Sequence, residues 1–411
     1  MAEHAAHRRG QPEPLIFHLS SAAAGYAQAL SSAAALHHPD FPWHPELQDA
    51  AARLSEPNTL SLAAETASRM GDVMRGIEAW QQHPYRMRPR RRPALWQKGA
   101  ARLLDYKRRS NPNAPVVLVI PSLINRAYVL DLLPERSFLR ELSRRGLRPL
   151  LLDWGEPGEA EYGYDIDAYG HQILLPAIET SCDLAGGPVG VIGYCMGGTI
   201  ATGLAANRPD LVNALALIGA PWDFSDERGI AGGLRMMSRH PGGFSFERLL
   251  DGQATAFGHI PVPVFQMLFA LIDPFQAAVK FRRFARQPQE GRAARLFVAL
   301  EDWLADGIPM AHGAAHDLLF GWHSENRTAT GRWRFLGDVV DPARIGAPTL
   351  IFHGSKDMIA PTPLCAPLAH QIPGAELQEI SAGQVGMIIG SAAKRAVIEP
   401  IVQQMRHAEC A

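Results

Sequence analysis

Three features are scarce in this 411-residue chain: cysteine, an excess of charge of either sign, and long uninterrupted hydrophobic runs. The four cysteines lack CxxC spacing and are too few to staple a chain of this length with disulfides. We therefore expect a reducing, cytoplasmic location. Lys and Arg total 40 against 41 Asp and Glu, so no overall field attracts nucleic acid. We predict no nucleic-acid partner.

The N-terminal segment comes nearest to a targeting or membrane sequence. Arg8 and Arg9 precede an apolar stretch, but His18 and Gln28 are among the polar residues that interrupt it. We interpret this stretch as a small-residue helix at the surface of the protein or of a membrane. No other run approaches the roughly 18 apolar residues of a membrane span, so we predict none.

The chain is otherwise rich in apolar material, with 47% hydrophobic and 20% charged residues, enough for a large globular core. A dense basic stretch runs from Arg86 to Arg109. It fits either an anion-binding patch or a solvated linker leading into an edge strand.

Beyond the basic stretch, buried-strand patterns such as Val116–Ile120 and "PVGVIGY" alternate with helical patterns. This alternation predicts a parallel, doubly wound α/β sheet.

The segment "GYCMGG" follows one of these strands and precedes an Ala-rich helical pattern. Glycines two before and two after Cys195 fit a nucleophile elbow, a sharp turn from strand to helix. A buried cysteine without this context is commonly inert. We predict Cys195 as a nucleophile and the backbone N–H of Met196 as one oxyanion donor. The second donor is expected from the Pro121–Asn125 loop, and we assign it to Leu123.

An elbow predicts its partners in the order nucleophile, acid, base. The turn "HGSKDMIAP" follows a late buried strand and supplies Asp357 as the acid, although a turn aspartate that caps a helix is the alternative. The base is expected in the turn after the next strand. That turn reads Gly383–Gly386 and carries Gln384, with no histidine.

Several of these motifs together resemble the polyhydroxyalkanoate synthase family. The matching segments run from about Arg92 to Ser391 and are "PSLINRAYVLDLLPERS", "GYCMGG", "WLADG", "HGSKDMIAP" and "SAGQVG". The resemblance implies an α/β-hydrolase fold and a cysteine acyltransferase that takes 3-hydroxyacyl groups from coenzyme A thioesters to make polyester. The chain departs from the family pattern at Ser122 (usually proline), Leu304 (usually asparagine) and Gln384 (usually the catalytic histidine).

The glutamine changes the chemistry, because an amide cannot carry a proton between groups as an imidazole does. Chain growth, which needs a hydroxyl to be deprotonated, should suffer more than loading of Cys195. Three accounts remain open: an engineered variant, a natural relative with weakened or lost activity, or a different histidine as base. His353 fits a buried core position better than a base, and His370 is no better placed.

Residues 221–344 break the strand-helix alternation, as expected of a cap inserted before the acid strand. Three segments here read as helices, separated by "HPGG" and "RQPQEG": "GGLRMMSRHPGGFSFERLL", "VPVFQMLFALIDPFQAAVKFRRFA" and "ARLFVALEDWLADGIPMAHGAAHDLLFGW". We predict an N-terminal helical extension (1–92), a hydrolase core (93–220 and 345–411) and this helical cap. His312 and His316 are spaced four apart, but "HGAAH" lacks a glutamate and an evident third ligand. We predict no metal and no cofactor.

Two other function classes stay open. A cysteine hydrolase of the dienelactone hydrolase or thioesterase type also carries a GYCxGG elbow, and Gln384 fits a non-catalytic, granule-associated relative. The partners implied by the resemblance are a 3-hydroxyacyl-CoA substrate and a polyester product, with a granule surface and a homodimer as further candidates.

Overall fold

The structure is a computed structural model that describes residues 9–32, 35–38, 40–53, 59–87, 92–107, 111, 113–226, 232–233 and 246–410. The chain divides into two compact units. The first joins Met1–Arg86 with Phe269–Ala305, and the second comprises Met87–Leu268 with Asp306–Ala411. The first unit thus draws on both the predicted N-terminal extension and the predicted insertion. The assignment of 221–344 as a cap stays a prediction.

Twelve strands are found among the described residues. They are β1 (Ala94–Lys98), β2 (Ala101–Asp105), β3 (Val116–Ile120), β4 (Arg148–Asp153), β5 (Val189–Tyr194), β6 (Val212–Ile218), β7 (His259–Ile260), β8 (Met310–Ala311), β9 (Arg334–Phe335), β10 (Asp338–Val339), β11 (Thr349–Gly354) and β12 (Glu376–Ile380).

Eight of these strands form one sheet in the second unit, in the order β1-β2-β4-β3-β5-β6-β11-β12. Neighbours from β4 to β12 pair in parallel. The pairs β1/β2 and β2/β4 are antiparallel, so a hairpin forms one edge of the sheet. Every residue of β3, β5 and β11 is buried, which explains their continuous apolar sequences. The predicted α/β class is confirmed, with the antiparallel hairpin as an addition.

The helices surround this sheet or form the first unit. They are α1 (Leu15–Ser32), α2 (Gln48–Ala51), α3 (Thr59–Gln82), α4 (Phe138–Arg144), α5 (Ile166–Tyr169), α6 (Leu175–Ala185), α7 (Met196–Asn207), α8 (Phe246–Phe257), α9 (Val262–Ile272), α10 (Gln276–Ala285), α11 (Arg292–Ala305), α12 (His312–His316), α13 (Thr362–Cys365), α14 (Pro367–Gln371), α15 (Gly386–Ile389) and α16 (Glu399–Cys410).

The first unit has its own apolar core, built from α1, α3, α10 and α11. The N-terminal stretch that resembled a targeting sequence is helix α1, whose Ala22 is buried in this core. The core residues are Ala22, Val73, Ile77, Trp80, Ala277, Ala278, Phe281, Phe284, Ala294 and Val298.

One part of the predicted insertion differs from expectation. The pattern over 262–285 predicted a continuous helix, but α9 ends at Ile272 and α10 begins at Gln276. Pro274 lies in the break, and proline lacks the N–H that a continuing helix needs. Most of the first predicted helix of the insertion, with the "HPGG" loop, lies outside the described residues, as do 88–91 and 108–110 of the basic stretch.

Within the described part of the chain, no single helix is long and apolar enough to cross a membrane. Among the described residues, the pair α9 and α10, bent by 86° between them, reaches the necessary length and composition when taken together.

A buried ion pair joins the hairpin to the parallel part of the sheet. Arg148 Nη2 on β4 lies 2.7 Å from Asp105 Oδ2 on β2, and Arg148 Nε donates to Oδ1 at 3.3 Å. The two side chains are only 10% and 9% exposed. Breaking a buried pair leaves an uncompensated charge, whereas replacing both partners by apolar groups is often tolerated.

Asp105→Ala should therefore lower the free energy of unfolding by about 3–5 kcal/mol. The double variant Asp105→Leu/Arg148→Met should recover most of this loss, as measured by urea-induced unfolding. The matched control is Asp210→Ala, which breaks an exposed pair with Arg208 and should cost less than about 1 kcal/mol. Equal losses for Asp105→Ala and Asp210→Ala would contradict a structural role for the buried pair.

Candidate active site

Cys195 occupies the turn between β5 and α7 in a conformation that side chains rarely adopt, with φ 55° and ψ −132°. Such a conformation costs about 1–3 kcal/mol and persists only where surrounding contacts hold it. The Cys195 N–H donates to the Ile218 carbonyl at 2.9 Å, and the Cys195 carbonyl accepts from the Gly198 N–H at 2.7 Å. The turn predicted from the glycine spacing is therefore formed.

The loop after β3 lies directly against this turn. A Cβ atom on Gly197 would lie 2.2 Å from the Ile120 carbonyl oxygen and 2.4 Å from that of Pro121, so only glycine permits the approach. Leu123 is buried in this loop. The described contacts do not join Leu123 to Cys195, so its role as an oxyanion donor stays a prediction.

The loop continues into a polar clamp formed by Arg126, Tyr128 and Asp306. The clamp joins the "PSLINRAYVLDLLPERS" and "WLADG" segments. Arg126 Nε donates to Asp306 Oδ1 at 2.7 Å, and the Tyr128 hydroxyl donates to Asp306 Oδ2 at 3.0 Å. Asn125 and Gly307 form a backbone bridge beside them. The "ADG" end of "WLADG" thus holds the segment that follows the Pro121–Asn125 loop.

Asp357 is buried in the turn after β11. Its Oδ1 accepts the N–H groups of Ile359 at 2.8 Å and Ala360 at 3.0 Å. Burial raises the pKa of this carboxyl, and the two N–H donors act in the opposite direction. Within the described chain, Asp357 Oδ2 is buried and has no hydrogen-bond partner. One carboxylate oxygen is therefore held by backbone N–H groups, and the other can still accept a hydrogen bond.

Gln384 is also buried, and its Nε2 donates to the Gly219 carbonyl at 3.0 Å. Gly219 has φ 55°, and a Cβ atom there would lie 2.4 Å from Gln384 Oε1 and 2.7 Å from Nε2. Glycine at 219 therefore leaves the space that the amide occupies. Gln384 Oε1 has no hydrogen-bond partner among the described residues.

The Cys195 thiol is held in its neutral form. Burial raises its pKa to about 12, and the nearby charge of Asp357 adds to the rise. The Met196 N–H and the nearby polar side chains of Gln384 and Ser122 act on the pKa in the opposite direction. At a pKa of about 12, roughly one thiol in 10⁵ is ionised at pH 7, far fewer than for a free cysteine.

The structure thus brings together Cys195, Met196 and Gln384, with Asp357 close enough to affect the thiol electrostatically. Ser122, which the sequence indicated as part of the predicted oxyanion loop Pro121–Asn125 and as a departure from a family pattern, also lies near this site. Its position directly after a central parallel strand was a usable signal, because ligands bind at the carboxyl ends of such strands.

The two histidines considered as alternative bases, His353 and His370, have no described contact with the candidate site. His353 is buried on β11, where its Nδ1 lies 2.9 Å from Thr362 Oγ1, and burial lowers its pKa. His370 is exposed in the last turn of α14. No described contact joins either ring to Cys195.

His312 and His316 pair with acidic residues of α8. His312 Nε2 lies 2.9 Å from Asp251 Oδ1, and His316 Nε2 lies 3.0 Å from Glu247 Oε1. A search of the described residues finds no group of three or more His, Cys, Asp or Glu side chains that could hold a metal ion.

Comparisons with known proteins give one matching family model and several relatives of the same name. A family model for the alpha/beta hydrolase fold matches residues 115–390. The protein named "Poly(3-hydroxyalkanoate) polymerase subunit PhaC" is 29% identical in Haloferax mediterranei, over 72% of this chain and 60% of the relative. Its Haloarcula marismortui counterpart is 29% identical over 67% and 57%, and that of Synechocystis is 26% identical over 69% and 76%. The chain therefore spans less than two thirds of the first two relatives.

The raised pKa of Cys195 makes its alkylation strongly pH-dependent. Because only the thiolate reacts, the rate of iodoacetamide labelling should rise about tenfold per pH unit from pH 7 to 10 without reaching a plateau. The measurement is the labelling rate at the Cys195 peptide by mass spectrometry. Cys195→Ala gives the background, and the Cys182 peptide serves as an internal comparison. A plateau near pH 8 would mean that the thiol ionises with little perturbation.

Proposed function

We propose that this chain, which belongs to the α/β-hydrolase fold family, is an acyltransferase of the poly(3-hydroxyalkanoate) polymerase type. Its substrate would be a 3-hydroxyacyl-CoA and its product a polyester, and a granule surface is a proposed location. The observation that carries the proposal is Cys195 on its strained turn, with Gln384 at the sulfur and Asp357 close by.

In the loading step, the Cys195 sulfur attacks the carbonyl carbon of the thioester. A carbon–sulfur bond to Cys195 forms, the carbon–sulfur bond to coenzyme A breaks, and the proton of the Cys195 thiol ends on the departing coenzyme A sulfur. The Met196 N–H and a donor of the Pro121–Asn125 loop, assigned to Leu123, would stabilise the oxyanion. Loading needs no net proton acceptor, because one thiol replaces another.

Chain growth makes a different demand. The hydroxyl of one hydroxyacyl unit must lose its proton as it attacks the acyl group on another, and Gln384 cannot accept that proton. Loading should therefore be faster than growth in this chain. The buried Oδ2 of Asp357, which has no partner within the described structure, supports the view that position 384 suits an imidazole whose second nitrogen faces this carboxylate.

A second candidate is a non-catalytic relative that binds acyl-CoA or polyester. It is favoured by the surroundings of Cys195, where desolvation raises the pKa of the thiol and so favours its neutral form. Incubation with 3-hydroxybutyryl-CoA separates the candidates. Polymer and free coenzyme A indicate a synthase, free hydroxy acid indicates a hydrolase, and an unchanged thioester indicates a binding protein.

Gln384→His should raise the rate of coenzyme A release from 3-hydroxybutyryl-CoA by on the order of 10²-fold, the usual contribution of general base catalysis. Asp357→Asn in that background should remove much of the gain, since the imidazole loses the group that fixes its tautomer. Gln97→His, at an exposed position of β1, is the matched control and should leave the rate unchanged. If the parent already turns over rapidly and Gln384→His has no effect, another group accepts the proton and Gln384 does not occupy the position of a base.

A further inference from the structure

The loop expected to supply the second oxyanion donor begins at a carbonyl group that a tryptophan holds. Pro121 directly follows β3, and Trp154 directly follows β4. Strands β3 and β4 pair in parallel, with Val119 beside Leu151, so their carboxyl ends lie at the same edge of the sheet. The Trp154 indole N–H donates to the Pro121 carbonyl at 3.0 Å, and this hydrogen bond is buried. The two strand ends are therefore joined through one side chain.

The same carbonyl also lies against the turn that carries Cys195. Gly197, in the first turn of α7, approaches Pro121 so closely that a Cβ atom at 197 would lie 2.4 Å from the Pro121 oxygen. Proline has no backbone N–H, so this oxygen is the only polar group that the backbone of Pro121 offers. The oxygen is therefore close both to the indole of Trp154 and to the helix that begins after Cys195.

Fixing this oxygen sets the orientation of the peptide group that opens the loop. The Pro121–Ser122 bond is trans, and in a trans peptide the C=O and the N–H of the next residue point in opposite directions. The hydrogen bond from Trp154 therefore determines where the Ser122 N–H points and from which direction the chain continues to Leu123. An oxyanion hole requires donors fixed in this way, because they must be aimed before charge develops.

The indole is itself held by its surroundings. Trp154 is 4% exposed, and its ring packs edge-on against that of Tyr169, with the ring centroids 5.8 Å apart. Tyr169, on α5, is also buried and packs edge-on against Tyr164, with the centroids 5.4 Å apart. The backbone turns directly after the tryptophan, at Gly155 with φ 71°. The indole N–H therefore donates from a fixed position.

We propose that Trp154 is a positioning residue whose indole N–H fixes the Pro121 carbonyl and so orders the Pro121–Asn125 loop as the source of the second oxyanion donor. The proposal deepens the proposed function and rests on it, because an oxyanion donor matters only if Cys195 attacks an acyl group. Trp154 holds the start of the loop, whereas the clamp at Asp306 holds the segment that follows it.

The test removes the indole N–H and keeps an aromatic ring. Trp154→Phe lacks the donor, and replacement of Trp154 by benzothienylalanine puts sulfur in place of the N–H while the bicyclic shape is retained. Trp80→Phe is the matched control, because it deletes another buried indole N–H, one that donates to Asp302 Oδ1 at 3.0 Å in the first unit. The readouts are hydrogen–deuterium exchange of the 122–125 amides and acyl loading of Cys195 over a range of 3-hydroxybutyryl-CoA concentrations.

Both replacements of Trp154 should speed exchange of the 122–125 amides about fivefold, as expected for the net contribution of one hydrogen bond. The loading rate at saturating thioester should fall about tenfold, less than the roughly 10²- to 10³-fold loss that follows outright removal of an oxyanion donor. The thioester concentration that gives half of this rate should stay within about twofold of the parent's, because the donor acts on charge that develops only in the transition state. Trp80→Phe should change neither readout.

Exchange and loading equal to those of the parent in the benzothienylalanine variant would overturn the proposal, even if Trp154→Phe fails to fold, since only the N–H differs. In a parent that loads, faster exchange of the 122–125 amides without slower loading would also overturn it, because the ordered loop would then supply no donor.

The outcome is separable from that of the proposed function. If neither the parent nor any variant consumes 3-hydroxybutyryl-CoA, but the 122–125 amides exchange faster in the Trp154 variants and not in Trp80→Phe, Trp154 orders the loop and the assigned substrate is wrong. If the parent makes polymer and the benzothienylalanine variant matches it in both readouts, the function stands and the role of Trp154 does not.

Discussion

The contact between Gly197 and the backbone of Ile120 and Pro121 is the constraint on which the site depends. It allows the first turn of α7 to lie against the loop after β3, and this in turn holds Cys195 at a positive φ. A side chain at 197 would separate the two strand ends and disperse the groups that act on the thiol.

Two opposing effects act on the thiol, and burial is the stronger. The Met196 N–H and nearby polar side chains favour the thiolate, yet the pKa still rises from the ordinary 9.0 to about 12. Desolvation together with the charge of Asp357 therefore outweighs the effect of these groups. The proposed nucleophile is therefore a thiol that is mostly neutral in the free protein.

Local patterns sufficed to predict the strands, the turn at Cys195 and the turn at Asp357, because each depends on residues that are close in sequence. The apolar run of β3 and the glycines around Cys195 are examples. The fit of Gln384 against Gly219 could not be predicted in this way, since it joins distant parts of the chain. The break at Pro274 was missed because the apolar helical pattern continues on both sides of it.

The clamp at Asp306 has an evolutionary consequence. One carboxylate accepts from both Arg126 and Tyr128, which lie about 180 positions earlier in the chain. Replacement of Asp306 alone would remove the acceptor that Arg126 and Tyr128 share. We therefore expect the three residues to be kept or lost together. Relatives that have lost one of the three residues should also have lost the other two. Substitutions at these positions would then indicate relaxed selection on the loop, even where the cysteine is still present.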